Sequence, residues 1–206
     1  MKKVLELLKN TIILILITVM AGGLLGFVYQ VTKEPIAIKE EERKNEACKL
    51  AFKTADTFTE VSDFDIEQAD LLLASKGFEN TSIQTVYLAN SVENTMLGYV
   101  LTMVSHEGYN GDISFMMGIS LDGTIEAISI LSISETPGLG MRAEEVIVSQ
   151  IEEKNVDYFE YTKTGAMTAN QIDAISGATI TTNAITTGLN AGISYFDYLV
   201  GGVENE

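Results

Sequence analysis

Residues 113–132 read ISFMMGISLDGTIEAISILS. The runs 113–121 and 124–132 are rich in β-branched and apolar residues, and Asp122-Gly123 between them is a tight hairpin signal of type I′. Working outward, residues 83–88 and 96–104 have the same character, so the middle of the chain is expected to be an antiparallel meander. Helical spacing flanks it. Residues 36–58 hold good helix formers with sparse apolar points, residues 65–76 form a shorter helical stretch, and residues 142–153 return to that spacing through Val146, Ile147 and Ile151. The chain closes with Ile185, Leu189, Ile193, Phe196 and Val200 at helical intervals. The fold class expected is α+β: an antiparallel sheet with packed helices, preceded by one N-terminal transmembrane helix.

That last element is residues 11–29, TIILILITVMAGGLLGFVY, an uncharged run. At ~1.5 Å per residue it is long enough to cross a hydrocarbon core of ~30 Å. A cleavable signal peptide is the alternative, since Val19-Met20-Ala21 resembles a cleavage site; the apolar run continues past it through Leu24, Leu25, Phe27 and Val28, which favours a retained anchor. Lys2, Lys3 and Lys9 flank the run on its N-terminal side, so the positive-inside rule places that end in the cytoplasm. The organisation expected is a cytoplasmic N-terminus (1–10), a membrane helix (11–29), a helical connector (30–76) and an extracytoplasmic domain (77–206). Gly22 and Gly26 form a G-x-x-x-G pair on the membrane helix, a weak pattern compatible with close packing beside another helix.

Composition narrows the chemistry. The chain has 206 residues, 46% hydrophobic and 20% charged, which suits one globular domain with a proper core plus an appended element. With one cysteine, Cys48, and one histidine, His106, it has no internal disulfide and no zinc, iron–sulfur or haem site of the usual Cys/His type. Redox chemistry here would need an organic cofactor. The net charge is −16, and residues 1–29 hold a surplus of two positive charges, which leaves −18 for the rest. Such a field repels nucleic acid and anionic headgroups. The methionines, Met96, Met103, Met116 and Met117 among them, read as core filler, and His106 as a half-exposed group at a strand end.

Just before the last helix stands Asp173-Ala174-Ile175-Ser176-Gly177-Ala178-Thr179. Small residues there bare the backbone and leave the Thr179 hydroxyl uncrowded. A phosphate is well placed at such a point, because the amides of residues 180–182 would aim unpaired N–H groups at it and the helix dipole favours negative charge. The competing reading is plain: a Ser or Thr that caps the helix, with Asp173 in a turn.

The segment resembles the attachment motif D-x-x-[ST]-G-A-[TS] of the FMN-binding members of ion-translocating electron-transport complexes, the G subunit of the Rnf complex in particular. Two further segments resemble the same family. Ser134-Glu135-Thr136-Pro137-Gly138-Leu139-Gly140 is similar to its E-T-P-G-L-G loop, and Gly108-Tyr109-Asn110-Gly111 to its G-Y-x-G turn. The resemblance implies that a flavin transferase joins the FMN phosphate to Thr179 as a phosphoester, with Asp173, Ser176, Gly177 and Ala178 as the recognition segment. Thr181 and Thr182 fall outside the motif's last position. It implies further that Thr136, Pro137, Gly138, Leu139 and Gly140 contact the flavin: Pro137-Gly138 specifies a turn, Gly140 lets backbone approach a flat ring, and Thr136 could donate a hydrogen bond.

The function so implied is that of a membrane-anchored electron carrier in a ferredoxin:NAD+ oxidoreductase that moves Na+ or H+. Its partners would be the other membrane, iron–sulfur and flavin subunits of the Rnf complex, and no catalysis is expected of the isolated protein. Alternatives carried forward are the C subunit of the Na+-translocating NADH:quinone oxidoreductase, a stand-alone extracytoplasmic flavin-dependent reductase, and a cofactor-free membrane-anchored binding module.

Overall fold

The computed structural model describes residues 2–203; Met1, at the start of the expected cytoplasmic segment, and residues 204–206, at the end of the expected domain, lie outside the described residues. The meander forms as the sequence predicts. Strands β1 (Thr57–Glu60), β2 (Thr81–Asn90), β3 (Met96–Ser105), β4 (Ile113–Ser120) and β5 (Ile125–Ser132) lie side by side in chain order, each antiparallel to its neighbour. Helix α1 (Lys2–Ala51) precedes β1, and α2 (Ile66–Ser75) links β1 to β2 with Asp65 as its N-cap, whose side chain accepts from the Gln68 amide at 3.2 Å. After β5 come a 3-10 turn (Gly140–Arg142), a π-helical turn (Glu144–Val148) and α3 (Ser149–Ile151), so the helical spacing read over 142–153 is realised as short pieces of different pitch. A small parallel pair, β6 (Glu160–Thr162) and β7 (Gln171–Asp173), leads into α4 (Thr179–Val203).

Both faces of the sheet are covered, because strand side chains alternate between them. On one face Ile83, Leu101, Met103, Phe115 and Met117 pack with Leu73 of α2 and Ile185, Leu189 and Ile193 of α4. On the other, Tyr87, Ala89, Val100 and Met116 meet Ala47, Cys48, Ala51 and Phe52. Each fully buried aliphatic or aromatic side chain contributes about 1.5–3 kcal/mol, so these layers hold the domain. The Cys48 Sγ lies 3.5 Å from Met116 Sδ, and burial pushes this thiol up to about 11.

Three expectations at this level are corrected. The membrane helix and the helix expected over 36–58 are one helix, continuous through Pro35, although proline there withholds the amide that the Val31 carbonyl would receive. That helix ends at Ala51, and Thr57–Glu60 turns back as the edge strand β1 against β2, its threonines suiting extended backbone. Within residues 30–76, expected as a helical connector, the structure therefore places a strand of the sheet. Finally, the β4–β5 turn is not type I′: Gly123 donates to the Ser120 carbonyl at 2.9 Å, but only Gly123 of the Asp122-Gly123 pair has positive φ, at +84°. A turn with αL glycine behind it, making a bulge, does the same work. Asp122 fastens it, accepting from Ser120 Oγ at 2.7 Å and the Thr124 amide at 3.0 Å, and these donors hold its carboxyl below the ordinary value.

The chain divides into two compact units, Met1–Lys44 and Asn45–Glu206. In the first, the large apolar residues from Ile12 to Val31 are all exposed. A helix segment apolar on every side is suited to lipid. Helix α1 is long and apolar enough to cross a membrane.

Candidate functional site

The N-terminus of α4 is built by a loop that folds onto its own helix. Ile175 and Ala178 are buried and pin residues 175–178, while Gly177 takes φ +77° and the Ala178 amide donates to the Ile175 carbonyl at 3.0 Å. Thr182 locks this arrangement from inside. Its Oγ1 accepts from the Ile175 amide at 3.1 Å and donates to the Ala178 carbonyl at 2.9 Å, and its own amide donates to that carbonyl at 3.0 Å. The amide of Thr182 is thus taken, contrary to expectation. The amides of Thr179, Ile180 and Thr181 have no acceptor among the described residues. The residue at the N-cap position is Ala178, which has no side-chain oxygen, so neither Ser176 nor Thr179 caps the helix.

The threonines here differ sharply. Thr181 and Thr182 are buried, at 1% and 0% exposure, with their hydroxyls engaged: Thr181 Oγ1 donates to Glu135 Oε2 at 2.9 Å. Thr179 is half-exposed, and its hydroxyl has no hydrogen-bond partner among the described residues. Helix phase explains this, since the N3 and N4 positions turn inward here while N1 stays at the rim.

The facing wall is the loop 134–140. Thr136-Pro137-Gly138-Leu139 is a turn in which the Leu139 amide donates to the Thr136 carbonyl at 3.1 Å, with Gly138 at φ +77° as a type II turn requires. A β-carbon on Gly140 would lie 2.6 Å from both Glu135 Cβ and Thr181 Oγ1. Its missing side chain therefore makes room for the Glu135–Thr181 contact.

Between the walls lies a cleft of about 520 Å³. Of the residues expected from sequence, Thr136, Leu139, Gly140, Gly177, Ala178 and Thr179 line it. Pro137, Gly138 and Ser176 are exposed and outside its lining. Asp173 is elsewhere, at the end of β7: its Oδ1 accepts from the Ala166 amide at 2.6 Å and its amide donates to Gln150 Oε1 at 2.7 Å. The structure adds Tyr109, Glu135, Ile180 and Thr181 to the lining. Tyr109 and Glu135 stand inside quoted segments, yet nothing in their spacing marks them. His106 is outside the lining, its Nδ1 2.9 Å from Asp112 Oδ1.

The cleft suits a flavin mononucleotide. Its volume falls in the ~300–1,000 Å³ range of cofactor sites, Leu139, Ile180 and Tyr109 give it apolar surface, and Thr179, Ile180 and Thr181, whose amides have no acceptor among the described residues, line it. The FMN-binding domain family matches residues 108–194, which spans both walls, and the RnfG N-terminal region matches residues 1–49. Fold and cleft thus define a membrane-anchored FMN-binding protein. The G subunit of the Na(+)-translocating ferredoxin:NAD(+) oxidoreductase complex of Acetobacterium woodii is 31% identical over 197 residues, 93% of this chain and 92% of that protein. The G subunit of the proton-translocating complex of Clostridium ljungdahlii is 29% identical over 183 residues, 88% of this chain and 87% of that one. This chain belongs to the family of G subunits of ion-translocating ferredoxin:NAD+ oxidoreductase (Rnf) complexes. A crystal structure of NqrC from Shewanella oneidensis shares the fold, with a TM-score of 0.50 and 17% identity over 59% of this chain and 61% of that one.

Proposed function

We propose that this chain carries FMN as a phosphoester on Thr179 and relays electrons within a ferredoxin:NAD+ oxidoreductase that couples them to Na+ or H+ movement. One observation carries the attachment: at the start of α4 Thr181 and Thr182 are buried with their hydroxyls bonded, whereas Thr179 is half-exposed beside three amides that have no acceptor among the described residues. The amides of Thr179, Ile180 and Thr181 hold the phosphate, with the positive end of the helix dipole behind them. Leu139, Ile180 and Tyr109 supply apolar surface for a ring system, and Thr136 a hydroxyl donor. FMN, when bound, supplies the electron chemistry that no side chain of this protein can. Asp173 serves recognition indirectly, by fixing the segment through Ala166 and Gln150.

The domain after α1 lies outside the cytoplasm, supported by the lysines before the span, and the flavin is attached there by a transferase. A covalent bond keeps the cofactor at high local concentration beside its redox partners, the other subunits of the complex. The isolated protein is a carrier and not a catalyst. Membership of a Na+-translocating NADH:quinone oxidoreductase has weaker support, since a 17% identity carries the fold alone.

Mass spectrometry of membrane-purified protein tests the proposal: a peptide containing Thr179 should carry the mass of FMN less water. Thr179→Ser should keep part of that modification. A modified peptide that lacks Thr179, or none at all, would overturn the assignment.

A further inference from the structure

Glu135 is left unused by the attachment of a cofactor. It is 5% exposed and lines the cleft. Its Oε1 accepts from the Asn110 amide at 3.2 Å and its Oε2 from Thr181 Oγ1 at 2.9 Å. Both oxygens are hydrogen-bonded, Oε1 to a backbone amide that can only donate. Among the described residues no cation pairs with it. A β-carbon on Gly108 would lie 2.9 Å from Oε1, and one on Gly140 2.8 Å from Oε2. Segments distant in the chain, 108–111, 134–140 and the start of α4, therefore close on this one carboxylate.

A glutamine could make the same contacts, its oxygen accepting from the Asn110 amide and its nitrogen donating to a reversed Thr181 hydroxyl. Burying a charge without a counter-ion is far less favourable than burying an amide. What the carboxylate adds over the amide is its charge, held on the wall of the cleft in a poorly screened place.

We propose that Glu135 sets the reduction potential of the flavin: its buried negative charge opposes the electron density that the flavin gains on reduction, and so holds the potential down. This rests on reading the cleft as the flavin site. Glu135 is a positioning and charge-setting residue, since no reacting atom is assigned to it.

The test uses full-length protein, exported and loaded with covalent flavin, in wild-type, Glu135→Gln and Thr181→Val forms. Redox titration should show Glu135→Gln shifted upward by about tenfold in the reduction equilibrium, ~30 mV for a two-electron couple. Thr181→Val removes a donor from Oε2 and leaves the charge less offset, so its potential should fall. A structural role alone would not move the two variants in opposite directions. Loaded variants with unchanged potentials, or with shifts of the same sign, overturn the role of Glu135 and leave Thr179 standing. Wild-type protein without covalent flavin overturns the reading of Thr179 and this inference with it. If Glu135→Gln does not accept flavin, the sign of the Thr181→Val shift decides.

Discussion

Thr179→Val and Thr182→Val remove the same hydroxyl from neighbouring turns of one helix, and the structure assigns them opposite outcomes. In Thr182→Val the Ile175 amide, belonging to a fully buried residue, loses its one acceptor among the described residues. The Ala178 carbonyl keeps the Thr182 amide at 3.0 Å, so one buried group is orphaned and not two. An unsatisfied buried donor costs about 1–3 kcal/mol. At ~2–4 °C per kcal/mol for a chain of this size, Tm should fall by about 2–12 °C. Thr179→Val removes a half-exposed hydroxyl with no partner among the described residues and should stay within about 0.5 kcal/mol of wild type. Thermal unfolding should be followed in a background lacking the flavin transferase, so that a bound cofactor does not contribute. Covalent flavin is then read in a transferase-positive background by fluorescence after denaturing electrophoresis. Thr179→Val should melt normally and be dark; Thr182→Val should melt early and still fluoresce. Fluorescent Thr179→Val, or Thr182→Val as stable as wild type, would refute the division of labour between these residues.

Three other expectations are open to measurement. Gly140→Ala should destabilise the fold by about 1–3 kcal/mol through overpacking against Glu135 and Thr181 and alter the flavin absorption spectrum, whereas Gly138→Ala, with open space around it but φ +77°, should cost ~1–2 kcal/mol in strain and leave the spectrum alone; equal spectra would remove the distinction. Cys48, with its thiol pushed up from 9.0 to about 11, should resist maleimide at pH 8 in the folded protein and react once unfolded, and the folded state should lose stability as pH rises from about 9 through about 11 because the unfolded thiol ionises first; rapid native labelling would contradict its burial. Protease added to intact spheroplasts should digest the domain beyond Lys33, and complete protection would reverse the proposed orientation.

The sheet was legible because its four long strands carry β-branched and apolar residues with turn residues between them, a pattern that local propensity and burial both favour. Strand β1 was not, because four residues with an exposed pattern give no alternation to read, and the helix formers before it blur the boundary. The fusion of the membrane helix with the following one hid behind Pro35, where local propensity argues for a break. At the site, the motif around Thr179 could be seen, but the ranking of three nearby threonines depends on helix phase and on an Ile175 amide. Glu135 was the least visible of all, since its partners lie 25 and 46 residues away and no spacing rule joins them. Asp173 shows the converse: conspicuous in the motif, it contacts the loop at Ala166 and not the cleft.

Ala178 at the mouth of α4 has a thermodynamic consequence for the maturation of the protein. A serine or aspartate at this position would stabilise the protein by about 1 kcal/mol, and it would do so by occupying amides that, in the proposed function, receive the phosphate. With alanine, the helix start keeps three amides without an acceptor among the described residues, and the gain from filling them waits for a bound anion. A phosphate tethered at Thr179, as proposed, would meet those amides only in the native helix end, and so would favour the native state over the unfolded one. On that proposal, loaded protein should open less readily at this end than unloaded protein.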